Sequence, residues 1–319
     1  MRSPGQPPAA PDGIITGSLV ETRAAQAGRE GVAGIDAVHL HVASCGDAGN
    51  PLLLMLHGFP QCWFAWEAMM PRFADRYHVV APDLRGFNLS SKPAKVEAYR
   101  ASESVADLAA LIAALGHESA TVIAHDCGGA VAWGLAIGRP DLVDRLVILN
   151  SPHPVPFARA LAGDPAQQRA SQYMNWLREA GSEALLAEND FGRMDRLFSR
   201  FGGAQWFDGP TRSRYHEAWR QRGALKAMVN WYRATPIYPP TAAEPGAAGL
   251  TLDPSRFRVT VPTRVIWGMD DPALLPVLLD GLEDLGDDLR IRRLAGLTHW
   301  LVHEAPDRVA QAIAESLVG

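Results

Sequence analysis

No apolar run in the sequence approaches the roughly 20 residues that a membrane-spanning helix requires. Cysteine is scarce. Cys45, Cys62 and Cys127 are the three in 319 residues, too few and too scattered for a disulfide framework or a zinc site. Free thiols suit a reducing compartment. There is no excess of basic charge either: the net charge is −5, with both signs mixed along the chain. That argues against nucleic-acid binding, which needs a basic face. The N-terminal segment, MRSPGQPPAAPDG, is rich in Pro and Gly and lacks the apolar core of a signal peptide. Residues 1–15 are expected to be disordered. Taken together, these absences point to a cytoplasmic protein without membrane or nucleic-acid partners.

What is present is a globular core. The hydrophobic share is 47%, and the length suits one large α/β domain or a domain with an insertion. Short, continuous apolar runs occur at 51–57, 77–83, 120–126, 144–151 and 263–268. Continuous rather than alternating character predicts strands of a parallel sheet covered on both faces. Helical patterns lie between them, among them residues 96–116, which end on Gly116. This alternation predicts a doubly wound α/β sheet. It breaks between about 154 and 252, where amphipathic segments such as PAQQRASQYMNWLREAG and RYHEAWRQRGALKAMVNWYRA carry no strand signal. The expected organisation is a core of residues 16–153 and 253–319, interrupted by a helical insertion at 154–252.

The segment AHDCGGAV (124–131) places the charged Asp126 between the apolar run SATVIAH and a second apolar run. A strand running straight into a helix holds such a side chain out at the strand's C-terminal edge, where open α/β sheets bind ligands. The turn is sharp, so the positions two before and two after must be small; here they are Ala124 and Gly128. The plain alternative is that Asp126 only caps a helix. Its neighbours weigh against that. His57-Gly58-Phe59-Pro60 follows an earlier strand, and the N–H groups of Phe59 and Cys127 together can form an oxyanion hole. WGMDDP ends a late strand in Asp270 and Asp271, and GLTHWLVHEAP carries His299 and His303. Of these, Asp271, next to Pro272, and His299 are the candidate acid and base, in the order nucleophile, acid, histidine. Asp270 is read as a solvated neighbour, His303 as structural. Trp63 and Trp66 are candidates for a pocket wall or for core packing, and His153 for a hinge or a pocket wall. His39 and His41 alternate along one strand without a third metal ligand, so surface polarity is expected of them.

The motifs HGFP (57–60), DLRGFNLSSKP (83–93), HDCGG (125–129), WGMDDP (267–272) and THW (298–300) together resemble those of the α/β-hydrolase superfamily, and within it of the epoxide hydrolases that use an aspartate nucleophile. The resemblance covers about 16–319. It implies an α/β-hydrolase fold, with a mostly parallel sheet and an inserted helical lid (cap) at 154–252. It also implies a triad of Asp126, His299 and Asp271, and two lid tyrosines facing the nucleophile. SQYMNWLREAG gives Tyr173 as the first and NWYRA gives Tyr232 as the second, with Tyr215 and Tyr238 as substitutes. His57, Trp63, His153 and Trp300 are expected around the substrate. No cofactor or metal is implied, and the partners are an apolar epoxide and water. Two positions depart from the pattern: Ala124 stands where the family usually has Gly, and Cys127 where it often has Trp. Cys127 keeps its N–H, and its thiol is read as inert packing.

An aspartate is ionised at neutral pH without help from a base. It is a competent nucleophile towards a strained sp³ carbon. It suits ester or amide hydrolysis poorly, because attack would yield an anhydride. The implied reaction is therefore epoxide opening to a vicinal diol through an ester on Asp126. A dehalogenase using the same Asp–His–Asp set is the alternative. Haloalkane dehalogenases place Trp after the nucleophile and usually Asn after HG, where this chain has Cys127 and Phe59. Fluoroacetate dehalogenases place arginines one and four residues after the nucleophile, where it has Cys127 and Ala130. A further alternative is a non-catalytic ligand-binding protein on the same scaffold.

Overall fold

The computed structural model describes residues 15–23, 38–202 and 204–318. Apart from its last residue, the N-terminal segment expected to be disordered lies outside the described residues. One sheet contains β1 (Thr16–Arg23), β2 (Val38–Cys45), β3 (Leu52–Leu56), β4 (His78–Pro82), β5 (Ala120–His125), β6 (Val143–Leu149), β7 (Thr263–Gly268) and β8 (Leu289–Leu294), in the order β1-β2-β4-β3-β5-β6-β7-β8. β2 pairs antiparallel with both β1 and β4. Every neighbouring pair from β4 to β8 is parallel.

The central strands are apolar throughout because both faces are covered. Leu52, Leu54 and Leu56 of β3 face the side packed by α1 (Ala101–Ala114) and α2 (Asp126–Gly138). Leu53 and Met55 face the opposite side, which meets the helix Pro306–Leu317 through Val309 and Ile313. The polar β1 is mostly exposed at the sheet's edge. It offers no continuous apolar run, so its sequence gives little strand signal.

Between β6 and β7 run α3 (Pro154–Gly163), α4 (Pro165–Ala170), α5 (Gln172–Arg178), α6 (Ser182–Arg200), α7 (Gly209–Arg220) and α8 (Ala224–Ala234). Their inner residues, including Met174, Leu177, Leu186 and Tyr232, share one hydrophobic cluster with the sheet. α6 is interrupted where Asn189, Asp190 and Phe191 adopt left-handed backbone angles (φ 52°, 50° and 64°). No described helix is long and apolar enough to cross a membrane.

Several local expectations need correction. The helix expected over 96–116 is a short 3-10 turn at Val96–Tyr99 followed by α1. Arg100 is extended, and Tyr99 turns into the core with its hydroxyl donating to Pro93 O at 2.8 Å. Beyond β7, the strand–helix alternation does not resume at once: 3-10 turns at Pro276–Leu279 and Glu283–Leu285 lead to β8. His41 is not surface polarity. It is buried, with Nδ1 2.7 Å from Asp83 Oδ2. Asp83 also accepts from Trp63 N–H (2.9 Å) and from the Asn88 amide (2.8 Å).

The loop after β4 is tied to α1 by a buried ion pair. Arg85 grips Asp107 with Nε at 2.7 Å and Nη2 at 2.6 Å, and a third donor reaches Ala98 O at 2.8 Å. Removing Asp107 leaves the buried Arg85 guanidinium with only the part-exposed Glu103 carboxylate, at 3.7 Å, as counter-charge. Asp107→Ala should therefore lower the unfolding free energy by about 3–5 kcal/mol, read from urea denaturation. A loss under about 1 kcal/mol would mean that the pair behaves as a surface pair.

Candidate functional site

β5 ends at His125, and α2 begins on Asp126 with no intervening loop. Asp126 has φ +48°, a left-handed angle that non-glycine residues adopt at a cost of about 1–3 kcal/mol. Ser151 Oγ donates to Asp126 O at 2.7 Å and braces the bend. Two glycines let the turn after β3 approach it. A Cβ on Gly128 would lie 2.5 Å from His57 O, and one on Gly58 would lie 2.4 Å from the Asp126 Cβ. Neither position has room for a side chain.

This closeness lets Phe59 N–H donate to Asp126 Oδ1 at 2.8 Å. The other carboxylate oxygen, Oδ2, is 3.6 Å from His299 Nε2. On its far side, His299 Nδ1 is 2.8 Å from Asp271 Oδ2. Asp271 is buried and fully engaged. It accepts from the N–H groups of Ala273 (2.8 Å) and Leu274 (2.9 Å), and from the Asn150 amide (2.6 Å). Asp270 is exposed and has no such contacts. Cys127 is the second residue of α2, so its N–H lies in the first turn, where helix N–H groups lack an intrahelical acceptor.

The electrostatics follow from this packing. Burial alone would raise the Asp126 pKa. The nearby charge of His299, the ring of His125 and the Phe59 N–H outweigh it and hold the carboxyl well below the usual carboxylate range. Burial alone would likewise lower the His299 pKa. The charge of Asp271 and the contacts with Asp126 overcome it and push the imidazole up to about 10. Asp126 and His299 therefore rest as a carboxylate–imidazolium pair at neutral pH.

A cavity of about 490 Å³ opens above Asp126. Its walls are mostly apolar, with Val131, Phe157, Met174, Ile237 and Leu274 among them. Tyr173 on α5 and Tyr232 on α8 line it together with Asp126 and Cys127. The two tyrosine rings are 6.0 Å apart and nearly perpendicular, and Tyr232 also packs edge-on against Phe59 at 5.1 Å. Burial, followed by the neighbouring Asp126 and Cys127, pushes both phenol pKa values well above 10. Both hydroxyls keep their protons and can donate. The substitutes are elsewhere. Tyr215 is buried among Phe64, Phe198 and Trp219, and Tyr238 lies under the Arg178 guanidinium with its hydroxyl on Glu244.

Other expected residues are placed differently. His57, Trp63 and His153 do not line the cavity. His57 is fully buried and accepts from Leu84 N–H at 3.0 Å, which stitches two turns together. The Trp63 ring packs tilted against His41 and edge-on against Phe64, beneath Arg214. His153 caps α3 and reaches Phe257 O at 2.9 Å. Trp300 borders a small recess beside His299 instead of the main cavity. Cys127, read as inert packing, lies in the cavity wall; burial first, then the Asp126 charge, push its thiol pKa well above 9 and keep it neutral.

Sequence reasoning missed Asn150. Its amide bridges Asp271 and Gly268, accepting from Gly268 N–H at 2.7 Å. The available signal was its place at the end of an apolar strand, beside the other strand ends that carry the site. It also missed the chain behind His299. His125 Nε2 reaches His299 O (2.9 Å), while the Gln61 side chain bridges His125 (3.2 Å) and His303 (2.7 Å).

Comparison with known proteins agrees with this architecture. The family described as alpha/beta hydrolase fold matches residues 51–306. The AB hydrolase superfamily protein YfhM of Bacillus subtilis is 38% identical over 282 residues, which span 88% of this chain and 94% of that one. Epoxide hydrolase 1 of Caenorhabditis elegans is 34% identical, over 88% of this chain and 68% of its own length. The epoxide hydrolase of Bacillus megaterium, solved in complex with an inhibitor, aligns with a TM-score of 0.79 at 30% identity, covering 88% of this chain and 98% of that one. The chain therefore belongs to the α/β-hydrolase fold family, and the proteins it resembles include named epoxide hydrolases.

Proposed function

We propose that this chain hydrolyses an epoxide to a vicinal diol through a transient ester on Asp126, beneath a lid formed by residues 154–252. One observation carries the reading: a single apolar cavity brings an ionised carboxylate together with two protonated tyrosines. A carboxylate that needs no base attacks an sp³ carbon, and the two hydroxyls take up the charge that develops on the epoxide oxygen.

In the first step an Asp126 oxygen bonds to an epoxide carbon and the ring C–O bond breaks. Tyr173 or Tyr232 gives its proton to the alkoxide. Esterification removes the negative charge that helps hold the proton on His299, so the imidazolium becomes more acidic and returns a proton to the tyrosinate. His299 is now neutral and able to act as a base. In the second step it takes a proton from water, whose oxygen attacks the ester carbonyl. The resulting oxyanion is met by the N–H groups of Phe59 and Cys127. Collapse expels the diol oxygen, which takes the second proton of the attacking water, so that the carboxylate and the imidazolium are both restored. The cycle exchanges no net proton with solvent. No step calls on a cofactor.

Halide displacement would need donors for the departing ion. The indole N–H of Trp231 is spent on Arg85 O (2.9 Å) and that of Trp300 on Phe198 O (2.8 Å). The hydroxyls of Tyr173 and Tyr232 suit an oxygen leaving group better. An assay of halide release beside diol formation separates the two readings.

His299→Gln should still be alkylated but should hydrolyse the ester slowly, so intact-mass spectra after epoxide treatment should show a substrate-sized adduct that maps to Asp126. An unmodified protein would contradict the scheme. The Tyr173→Phe/Tyr232→Phe double variant should slow alkylation by about 10²–10⁴-fold in stopped-flow single turnovers, whereas unchanged alkylation would remove the tyrosines from the mechanism. Asp126→Asn copies the loss of charge on esterification. NMR titration of labelled histidine should show the His299 pKa falling from about 10 in this variant, and an unmoved pKa would rule out the charge switch.

A further inference from the structure

The Asp126 carboxylate borders two spaces of very different size. The large cavity holds the epoxide in the reading above. The second is a recess of about 10 Å³ next to His299, room for about one water molecule. Asp126, Tyr173 and Tyr232 belong to the walls of both, so this trio separates the compartments. Apart from these groups and His299, the recess is closed by Phe59, Pro60, Leu197, Phe201 and Trp300, all apolar or aromatic.

Leu197 and Phe201 are four residues apart at the C-terminal end of α6, so they fall on one face; Phe201 N–H donates to Leu197 O at 3.1 Å. The Phe201 ring packs between Tyr173 (5.1 Å) and His299 (6.1 Å). The opposite wall is fixed by bonds already made: Trp300 Nε1 donates to Phe198 O and Trp219 Nε1 to Pro60 O, each at 2.8 Å.

We propose that Leu197 and Phe201 form a size filter that restricts the second half-reaction to water. The proposal rests on the covalent reading, because only an ester on Asp126 needs such protection. An ester is open to any nucleophile that reaches its carbonyl with a base at hand. Water regenerates the carboxylate. An amine or hydroxylamine would leave a stable amide or hydroxamate at position 126, and the enzyme would be dead after one turnover. A recess fitted to one water next to the base admits the harmless nucleophile and rejects larger ones. Misfit of a single methylene in a fitted pocket is worth about 10–200-fold in discrimination.

The test uses the full chain turning over styrene oxide in the presence of hydroxylamine. In the trapping reaction the hydroxylamine nitrogen bonds to the Asp126 carbonyl carbon and its proton passes to His299. The ester C–O bond breaks, and the diol oxygen takes that proton as it leaves. Peptide mapping reads the hydroxamate at position 126, and loss of diol formation reads inactivation. The wild-type protein should be trapped rarely. Phe201→Ala and Leu197→Ala should each raise the hydroxamate formed per diol released by about tenfold or more, with folding verified by diol formation in hydroxylamine-free buffer. Leu197→Phe, which fills the recess, should instead accumulate alkyl-enzyme. Equal trapping across these proteins, with ester formation intact, overturns the filter and leaves the covalent reading standing. Absence of any ester, in these proteins and in His299→Gln, overturns both.

Discussion

A carboxylate kept ionised in an apolar setting is the constraint around which the structure is arranged. Burying an unpaired charge costs several kcal/mol, so Asp126 needs compensation from every side. It comes from Phe59 N–H on one oxygen and from the His299 imidazolium facing the other. The start of α2 adds the positive end of a helix dipole. His299 holds its charge because Asp271 sits behind it, and Asp271 is fixed by two backbone N–H groups and Asn150. These groups come from the C-terminal ends of β3, β5, β6, β7 and β8. The parallel sheet is what brings five distant stretches of chain to one edge.

The same arrangement gives the pair its proposed reactivity. Both partners are held in their charged forms by each other, so neutralising one changes the other. Apolar walls strengthen that coupling by excluding water. In the proposed cycle the ester switches His299 from an acid to a base when a base is required, and restoration of the carboxylate switches it back. In the same proposal, partition of the space around Asp126 into a large cavity and a water-sized recess separates the substrate's place from that of the hydrolytic nucleophile.

Much of this was legible because the sheet and the bend impose strict local demands. Continuous apolar runs marked the five central strands to within a residue or two, since a strand buried on both faces has no polar option. Gly128 is small because the backbone of Leu56 and His57 passes within van der Waals reach of it, and Gly58 because the Asp126 side chain does. The helical insertion was visible as a region of amphipathic pattern, but its geometry was not. Which tyrosine reaches Asp126 depends on how helices pack, with Tyr232 set against Phe59 and Tyr173 against Phe201 across long sequence separations. The placement of His57, Trp63 and His153 in a pocket wall failed for a related reason. A histidine or tryptophan beside a site motif can face the cavity or brace the turn behind it, and these three brace turns. His41 was misjudged because its partner, Asp83, is far away in sequence. Asn150 and Gln61 carry no motif; they were seen only once the strands and turns that hold them were placed side by side. His303 was read as structural, but its partner Gln61 was not legible.

The central claim is that Asp126 bonds to carbon and is regenerated by attack at its own carbonyl. A single turnover with enzyme in excess over an epoxide, run in water enriched in heavy oxygen, tests it most directly. The account predicts that the diol leaves with an oxygen taken from Asp126 and that the heavy oxygen appears in the Asp126 carboxylate, located by peptide mass mapping. Label found in the diol from that first turnover, with Asp126 unlabelled, would mean that water attacks the epoxide directly and would contradict the account.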